Sequence, residues 1–186
     1  MHPWRERLNR WFTPVARRLP LSPNTITLIA LCLNLVAAVL LLLGTRHPAL
    51  FLVAMIFVAI GGFADALDGV VARLQQKETR FGDFLDHICD RISDTALAAF
   101  WMIGNRVRET LVVAAVIVIM LNGYIGTQIE ATFRERNYES LGRGEFVLAL
   151  VVFPIVSFIL FSNLLLVFAL IGIVQRIVVA QRMERS

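Results

Sequence analysis

Asp65-Ala66-Leu67-Asp68-Gly69-Val70-Val71-Ala72-Arg73, then eight residues, then Gly82-Asp83-Phe84-Leu85-Asp86-His87-Ile88-Cys89-Asp90 is the stretch on which the reading of this chain turns. Asp65 and Asp68 are spaced i, i+3, and Asp86 and Asp90 i, i+4, so each pair falls on one face of a helix. Apolar runs flank the stretch on both sides. Two helices therefore aim two carboxylates each toward one place inside a membrane protein. A carboxylate at the centre of a membrane helix costs about 2.5 to 3.5 kcal/mol on insertion scales. A cation must offset that cost, and a divalent metal is the natural candidate.

Composition supports the membrane setting. Of 186 residues, 58% are hydrophobic and only 17% are charged, and the mean hydropathy of +0.71 is too apolar for a soluble domain of this size. The net charge of +4 raises the question of nucleic acid. The arginines, however, are divided among short loops, which points to membrane topology and away from a nucleic-acid partner. Cys32 and Cys89 are isolated, with no neighbouring His or Cys, so neither zinc nor a disulfide framework is expected. Both read as small buried apolar groups. The arginine-rich start lacks a short apolar core with a cleavage site and is not expected to be a signal peptide.

Working outward, residues 4–19 read as an interfacial helix. Trp4, Leu8, Trp11, Phe12, Val15 and Leu19 recur at helical spacing, interleaved with Arg5, Arg7, Arg10, Arg17 and Arg18, and Pro14 is placed to kink it. Pro20, Pro23 and Asn24 mark a turn and a helix start. Six apolar stretches follow, at about 26–44, 49–72, 83–104, 109–133, 145–161 and 163–182, each approaching the ~20 residues that span a bilayer. The fold class is thus all-α and integral to the membrane. Residues 1–186 form a single domain, with the six-helix bundle over 26–182. The fifth stretch contains Pro154, and the third is the most polar because it carries Asp86, Asp90, Arg91 and Asp94.

Positive charge orients the bundle. With the N-terminus inside, the inner segments hold Arg5, Arg7, Arg10, Arg17, Arg18, Arg73, Lys77, Arg80, Arg134, Arg136, Arg143, Arg176, Arg182 and Arg185, whereas the outer loops hold Arg46, Arg106 and Arg108. This places both termini in the cytoplasm and the four aspartates near the cytoplasmic face of a multi-pass cell-membrane protein.

The short polar connection from Arg73 to Phe81 makes the second and third spans antiparallel neighbours. Four facing carboxylates can hold one or two hard divalent cations, Mg²⁺ or Mn²⁺, supplemented by phosphate oxygens of a substrate. Gly69 allows a ligand close to the backbone. Arg73 and Lys77 offer charge to phosphate, Arg73 with bidentate geometry, although Lys77 and Arg80 are equally explained by topology. A metal-bound pyrophosphate and an acceptor hydroxyl deprotonated by a carboxylate follow from these parts.

The string fits D-x2-D-G-x2-A-R-x8-G-x3-D-x3-D at all eight fixed residues over 26 positions. On that signature the chain is identified as a member of the CDP-alcohol phosphotransferase family of membrane lipid enzymes. Its size, six expected spans and interfacial helix also resemble that family. The resemblance implies transfer of a substituted phosphate from a CDP-linked lipid to a small alcohol, with release of CMP. It implies that Asp65, Asp68 and Asp86 ligate metal, and that Asp90 is the general base and touches a second ion. Gly69, Arg73 and Thr79 would contact the CDP moiety. Pro23-Asn24-Thr25-Ile26-Thr27 resembles the segment that closes over the nucleotide, which carries over Asn24 and Thr27. A homodimer surrounded by membrane lipids is implied as well.

The acceptor is read from finer features. Asp90-Arg91-Ile92-Ser93-Asp94 and Tyr124-x5-Glu130-Ala131 resemble the inositol and inositol-phosphate branch, with Arg91, Arg143 and Arg134 as acceptor-side cations. That branch usually has a basic residue where Gln128 stands, and a second arginine where Phe146 follows Arg143-Gly144-Glu145. Asp86-His87-Ile88-Cys89-Asp90 resembles the choline and ethanolamine branch instead, and glycerol phosphate or serine are further alternatives. Each residue also has a plainer reading. Arg91 can simply pair with Asp94, Arg143 can be loop charge, Tyr124 and Glu130 can serve packing, and His87 points off the carboxylate face as a structural residue. Gly123 and Gly126 would mark close helix packing. A Mg²⁺-dependent prenyltransferase and a divalent-cation transporter are the rival functions. The first usually has two separate aspartate-rich motifs, and the second lacks here an acidic cluster in the outer half.

Overall fold

The computed structural model describes residues 12–44, 47–133 and 161–185. Those residues form helices and no strand. A short helical stretch at 12–16 precedes α1 (Pro23–Gly44), α2 (Pro48–Leu74), α3 (Arg80–Gly104), α4 (Glu109–Phe133) and α5 (Phe161–Arg185). The expected spans at 26–44, 49–72, 83–104, 109–133 and 163–182 fall inside these five helices. The stretch at 145–161 lies outside the described residues except for Phe161, which opens α5. Of the proposed interfacial helix, residues 4–11 lie outside them too. The remainder is the helical turn at 12–16, with Pro14 inside it, followed by a turn at Arg17 and Arg18.

Local chemistry sets the helix ends. Pro23 and Pro48 open α1 and α2, where a missing N–H costs nothing. Ser22 caps α1, accepting the Thr25 N–H at 3.2 Å. Thr79 caps α3, accepting the Gly82 N–H at 3.0 Å. The far ends of α2 and α3 close alike. The Lys77 N–H reaches the Ala72 carbonyl at 2.9 Å and Gln76 N–H that of Arg73 at 3.2 Å. At the end of α3, Val107 N–H reaches Met102 at 3.0 Å and Arg106 N–H reaches Ile103 at 3.0 Å. This double bond pattern needs a left-handed residue after the cap. Gln76 (φ 52°) and Arg106 (φ 55°) take that conformation, and both reversals stay tight without glycine.

α1, α2 and α4, of 22, 27 and 25 residues, are long and apolar enough to cross a membrane. Their outer faces carry exposed Leu28, Ile29, Val36, Leu52, Ile56, Val113 and Ile117, the surface offered to lipid. Cys89 is buried as expected, whereas Cys32 sits on the exposed face of α1, because position 32 falls beside Leu28, Ile29, Leu35 and Val36. α3 is not among the helices that qualify as a span by composition, yet one of its faces is buried along its length. Asp90, Ser93, Asp94, Leu97, Ala98, Trp101 and Met102 form a buried stripe along it, polar toward its start and apolar toward its end.

The close helix pairings among the described residues are α1–α2, α1–α3, α3–α4 and α4–α5. α2 and α3, expected to be direct neighbours, are not one of them. Their short link makes the chain reverse, but α1 packs against both. Fully buried Ala37 and Ala38 of α1, Ala54 of α2 and Ala98 of α3 allow that close approach around Trp101, Leu97 and Met102. Asn34 of α1 fills the space left by Gly61 of α2, where a Cβ would lie 2.5 Å from its Oδ1. A second apolar cluster of Phe12, Ala16, Ile26, Leu67, Val70 and Val71 fastens the 12–16 turn and the start of α1 to the end of α2. Phe12 and Phe63 meet there in a tilted arrangement, with ring centroids 4.9 Å apart and planes at 56°.

The corner between α1 and α2 depends on Gly44, whose Cβ would lie 2.9 Å from the backbone nitrogen of Phe51. Backbone cannot swing aside as a side chain can. Gly44→Val is expected to destabilise the protein by about 1–3 kcal/mol. A lower melting temperature in detergent than that of Leu43→Ala, a change at an exposed neighbour, checks this.

Candidate active site

The signature places its first two carboxylates in the C-terminal half of α2 and the other two in the N-terminal half of α3. One oxygen each of Asp65, Asp68 and Asp86 lies within 4.8 Å of the others. A second group of the same size contains Asp86, His87 and Asp90. The four aspartates expected at a single point are thus arranged as two overlapping groups that share Asp86, with Asp90 in the second. Asp68 and Asp90 are buried, at 7% and 8% exposure, and Asp65 and Asp86 are half-buried. α1 packs against both α2 and α3, and the carboxylates of those two helices meet at their polar ends.

The groups around that meeting point are polar and small. Over Gly69, the Arg73 Nη1 is the only described atom that an added Cβ would meet within 4 Å, at 3.6 Å. The backbone there stays open to a ligand, with a guanidinium at its edge. Thr27 of α1 donates to the Asp68 Oδ2 at 2.6 Å. Gly82 is enclosed differently, since a Cβ would lie 3.1 Å from both Asn24 Oδ1 and Thr79 Oγ1. Of the three residues read from the sequence as nucleotide contacts, Thr27 bonds to the Asp68 carboxylate, Thr79 caps its own helix, and Asn24 has its Oδ1 beside Gly82.

Toward α4 the groups become mixed in charge. His87, read as pointing away from the carboxylates, instead has a ring nitrogen within 4.8 Å of Asp86 and Asp90. Its Nε2 is 3.9 Å from Glu130 Oε2 on α4 and 4.0 Å from Asp83 Oδ2. Consecutive helix positions diverge by about 100°, but the length of the imidazole side chain lets its ring nitrogen reach back to the carboxylates. Arg91 pairs with Asp94 at 3.4 Å and approaches Asp90 at 3.9 Å, so the plain ion-pair reading is realised.

Gly123 and Gly126 serve arginines, not helix backbones. A Cβ at Gly123 would collide with the Arg91 guanidinium, and one at Gly126 with that of Arg176 on α5. The two arginines are close enough for their charges to interact. Arg176 entered the sequence reading only as topological charge. Its signal was available, since it is an ionisable residue well inside an otherwise apolar helix. Arg134 and Arg143, the other proposed acceptor-side cations, lie outside the described residues, as do Glu145 and Phe146. Gln128 is exposed on α4.

The family model for CDP-alcohol phosphatidyltransferase matches residues 20–180. The chain belongs to this family. Archaetidylinositol phosphate synthase of Pyrococcus horikoshii is 37% identical over 90 residues, covering 48% of this chain and 45% of the relative. Phosphatidylinositol phosphate synthase of Corynebacterium glutamicum is 33% identical over 124 residues, covering 63% and 55%. The chain spans about half the length of these curated relatives. Among solved structures, the Mycobacterium tuberculosis phosphatidylinositol phosphate synthase with CDP-DAG bound matches with a TM-score of 0.70 at 29% identity, over 92% of this chain and 94% of that one. The same enzyme with manganese and citrate matches with a TM-score of 0.71 at 28% identity, over 91% and 88%.

Sharing Asp86 between the two acidic groups has a measurable consequence. Asp86→Ala removes an oxygen from both, so Mn²⁺ affinity is expected to fall by about 100-fold or more, at or beyond the upper end of what loss of a supporting residue costs. Titration of Mn²⁺ by electron paramagnetic resonance checks it.

Proposed function

We propose that this chain is a membrane-embedded transferase. It moves a phosphatidyl-type group from a CDP-linked lipid to an alcohol and releases CMP, and its acceptor is an inositol phosphate. The observation that carries the reaction class is the convergence of Asp65, Asp68 and Asp86 beside an open Gly69 and Arg73, in a chain of this family. The donor set fits a hard divalent cation, being three carboxylates from two helices with room for phosphate oxygens. A divalent cation held there, Mg²⁺ or Mn²⁺, supplies charge neutralisation for the donor's diphosphate.

The residues do the rest. Arg73 binds the diphosphate beside Gly69, where no side chain blocks the backbone. Asp90 takes the proton of the acceptor hydroxyl. The hydroxyl oxygen attacks the lipid-linked phosphorus as the bond from that phosphorus to the CMP oxygen breaks, and CMP departs with the bonding pair. Burial of Asp90 keeps water from competing for the same phosphorus. Orientation and charge complementarity supply most of the rate.

The acceptor assignment rests on Arg91 and Arg176. Two guanidiniums seated on Gly123 and Gly126, that of Arg91 lying 3.9 Å from Asp90, suit a doubly charged acceptor phosphate. They answer the missing basic residue at Gln128. The relatives named for inositol phosphate products support the same choice. Choline and ethanolamine, both cationic at neutral pH, would instead bring positive charge toward the two guanidiniums. We read the whole as one domain over 1–186, with six spans, an interfacial helix over 4–19, cytoplasmic termini and a homodimeric assembly.

CMP release by the purified protein with Mg²⁺ and CDP-diacylglycerol tests the proposal against inositol, inositol 1-phosphate, glycerol 3-phosphate, serine, choline and ethanolamine. Stimulation by inositol 1-phosphate is expected, and stimulation by another acceptor alone would overturn the assignment. Asp90→Asn is expected to abolish turnover while CDP-lipid binding persists. Gly126→Leu, which displaces Arg176, is expected to raise the KM for the phosphorylated acceptor by about tenfold with little change for CDP-lipid, as lost uniform binding does.

A further inference from the structure

We propose that Thr27 is a positioning residue for the metal cradle, acting through Asp68. This rests on the reading of Asp65, Asp68 and Asp86 as a divalent-cation site, and it gives Thr27 a role beside the nucleotide contact expected from the sequence. The Thr27 hydroxyl has one proton and two acceptors in reach, Asp68 Oδ2 at 2.6 Å and its own turn's Pro23 carbonyl at 3.1 Å. The shorter bond to the charged oxygen is the stronger. Both side chains are buried, at 4% and 7% exposure, so water does not compete for that bond. It ties up one carboxylate oxygen of Asp68 and leaves the other for a ligand.

The helix that supplies Thr27 is itself well fixed. α1 begins with a serine cap in which Ser22 Oγ also meets Thr25 Oγ1 at 2.7 Å, and with Pro23 in its first turn. Ile26, next to Thr27, is buried in the cluster that includes Leu67, Val70 and Val71 around Asp68. Asn24, one turn before Thr27 on the same face, lies against Gly82. A single turn of α1 thus touches both halves of the signature, Asp68 on α2 and Gly82 on α3. The partial positive charge of that helix start also favours the Asp68 carboxylate. α1 packs against both α2 and α3, so rotation of Asp68 is controlled from the helix that contacts both.

The test is Mn²⁺ titration by electron paramagnetic resonance on the full-length protein in detergent, without nucleotide. Thr27→Val keeps the volume and removes the hydroxyl, and it is expected to weaken Mn²⁺ binding tenfold or more. Thr27→Ser keeps the hydroxyl and is expected to restore binding to near the unaltered protein. A packing role would rank the two the other way, with Val tolerated and Ser the poorer. Mn²⁺ affinity of Thr27→Val within twofold of the unaltered protein, with CDP binding weakened, would overturn the proposal in favour of a direct nucleotide contact. Thr27→Ala provides the same reading if the valine does not yield folded protein, judged by its melting profile. Asp68→Ala separates the two levels of the argument. If the unaltered protein and Asp68→Ala bind Mn²⁺ equally weakly, the metal reading itself fails. If only Asp68→Ala is impaired and Thr27→Val is not, the metal reading stands and the role of Thr27 falls.

Discussion

Carboxylates that face one another inside an apolar bundle govern this structure. Asp65, Asp68 and Asp86 bring like charges within 4.8 Å, where removal from water makes their repulsion costly. Such a group persists only if other elements hold it in place and a cation or donor offsets the charge. α1 does the holding. It packs against both α2 and α3 and supplies Thr27 to Asp68. The tight reversals at Gln76 and Arg106 then fix which helix follows which without adding bulk at either end.

Small residues convert that constraint into shape. Alanines at the α1, α2 and α3 contacts bring the helices together at the core, while glycines at the polar end leave room for something other than helix. Gly82 accommodates Asn24 and Thr79, Gly123 and Gly126 accommodate Arg91 and Arg176, and Gly69 is left facing open space beside Arg73. Of these, Gly69 is the one whose missing side chain is not replaced by another side chain from a neighbouring element. A donor diphosphate on that side and an anionic acceptor on the side of α4 and α5 would meet at Asp90. This is the arrangement that an in-line displacement requires.

Membrane burial also explains why charge is distributed so unevenly in α3. Its first half carries Asp83, Asp86, Asp90, Arg91 and Asp94, and its second half is a core of Leu97, Ala98, Trp101 and Met102. The helix is tolerated because its charged half is paired, Arg91 with Asp94 and His87 near Asp83 within the helix and His87 near Glu130 of α4, and because its neighbours cover the rest. Composition sets it apart from the candidate spans, while packing against α1 and α4 joins it to the same bundle.

The sequence by itself determined the helical class, the boundaries of five helices to within a few residues, the membrane setting and the identity of the aspartates. These follow from apolar periodicity, proline and serine at helix starts, and fixed spacings along one helix face, all local properties. Only tertiary structure decided which helices touch. A short link between α2 and α3 suggested neighbours, but α1 packs against both, because small residues at distant positions made closer contacts. The division of the four aspartates into two groups sharing Asp86, the approach of His87, and the seating of Arg91 and Arg176 over Gly123 and Gly126 likewise depend on the meeting of helices α2 to α5. Spacing along one helix reports which face a residue occupies; what that face meets is set by the packing of elements far apart in the chain.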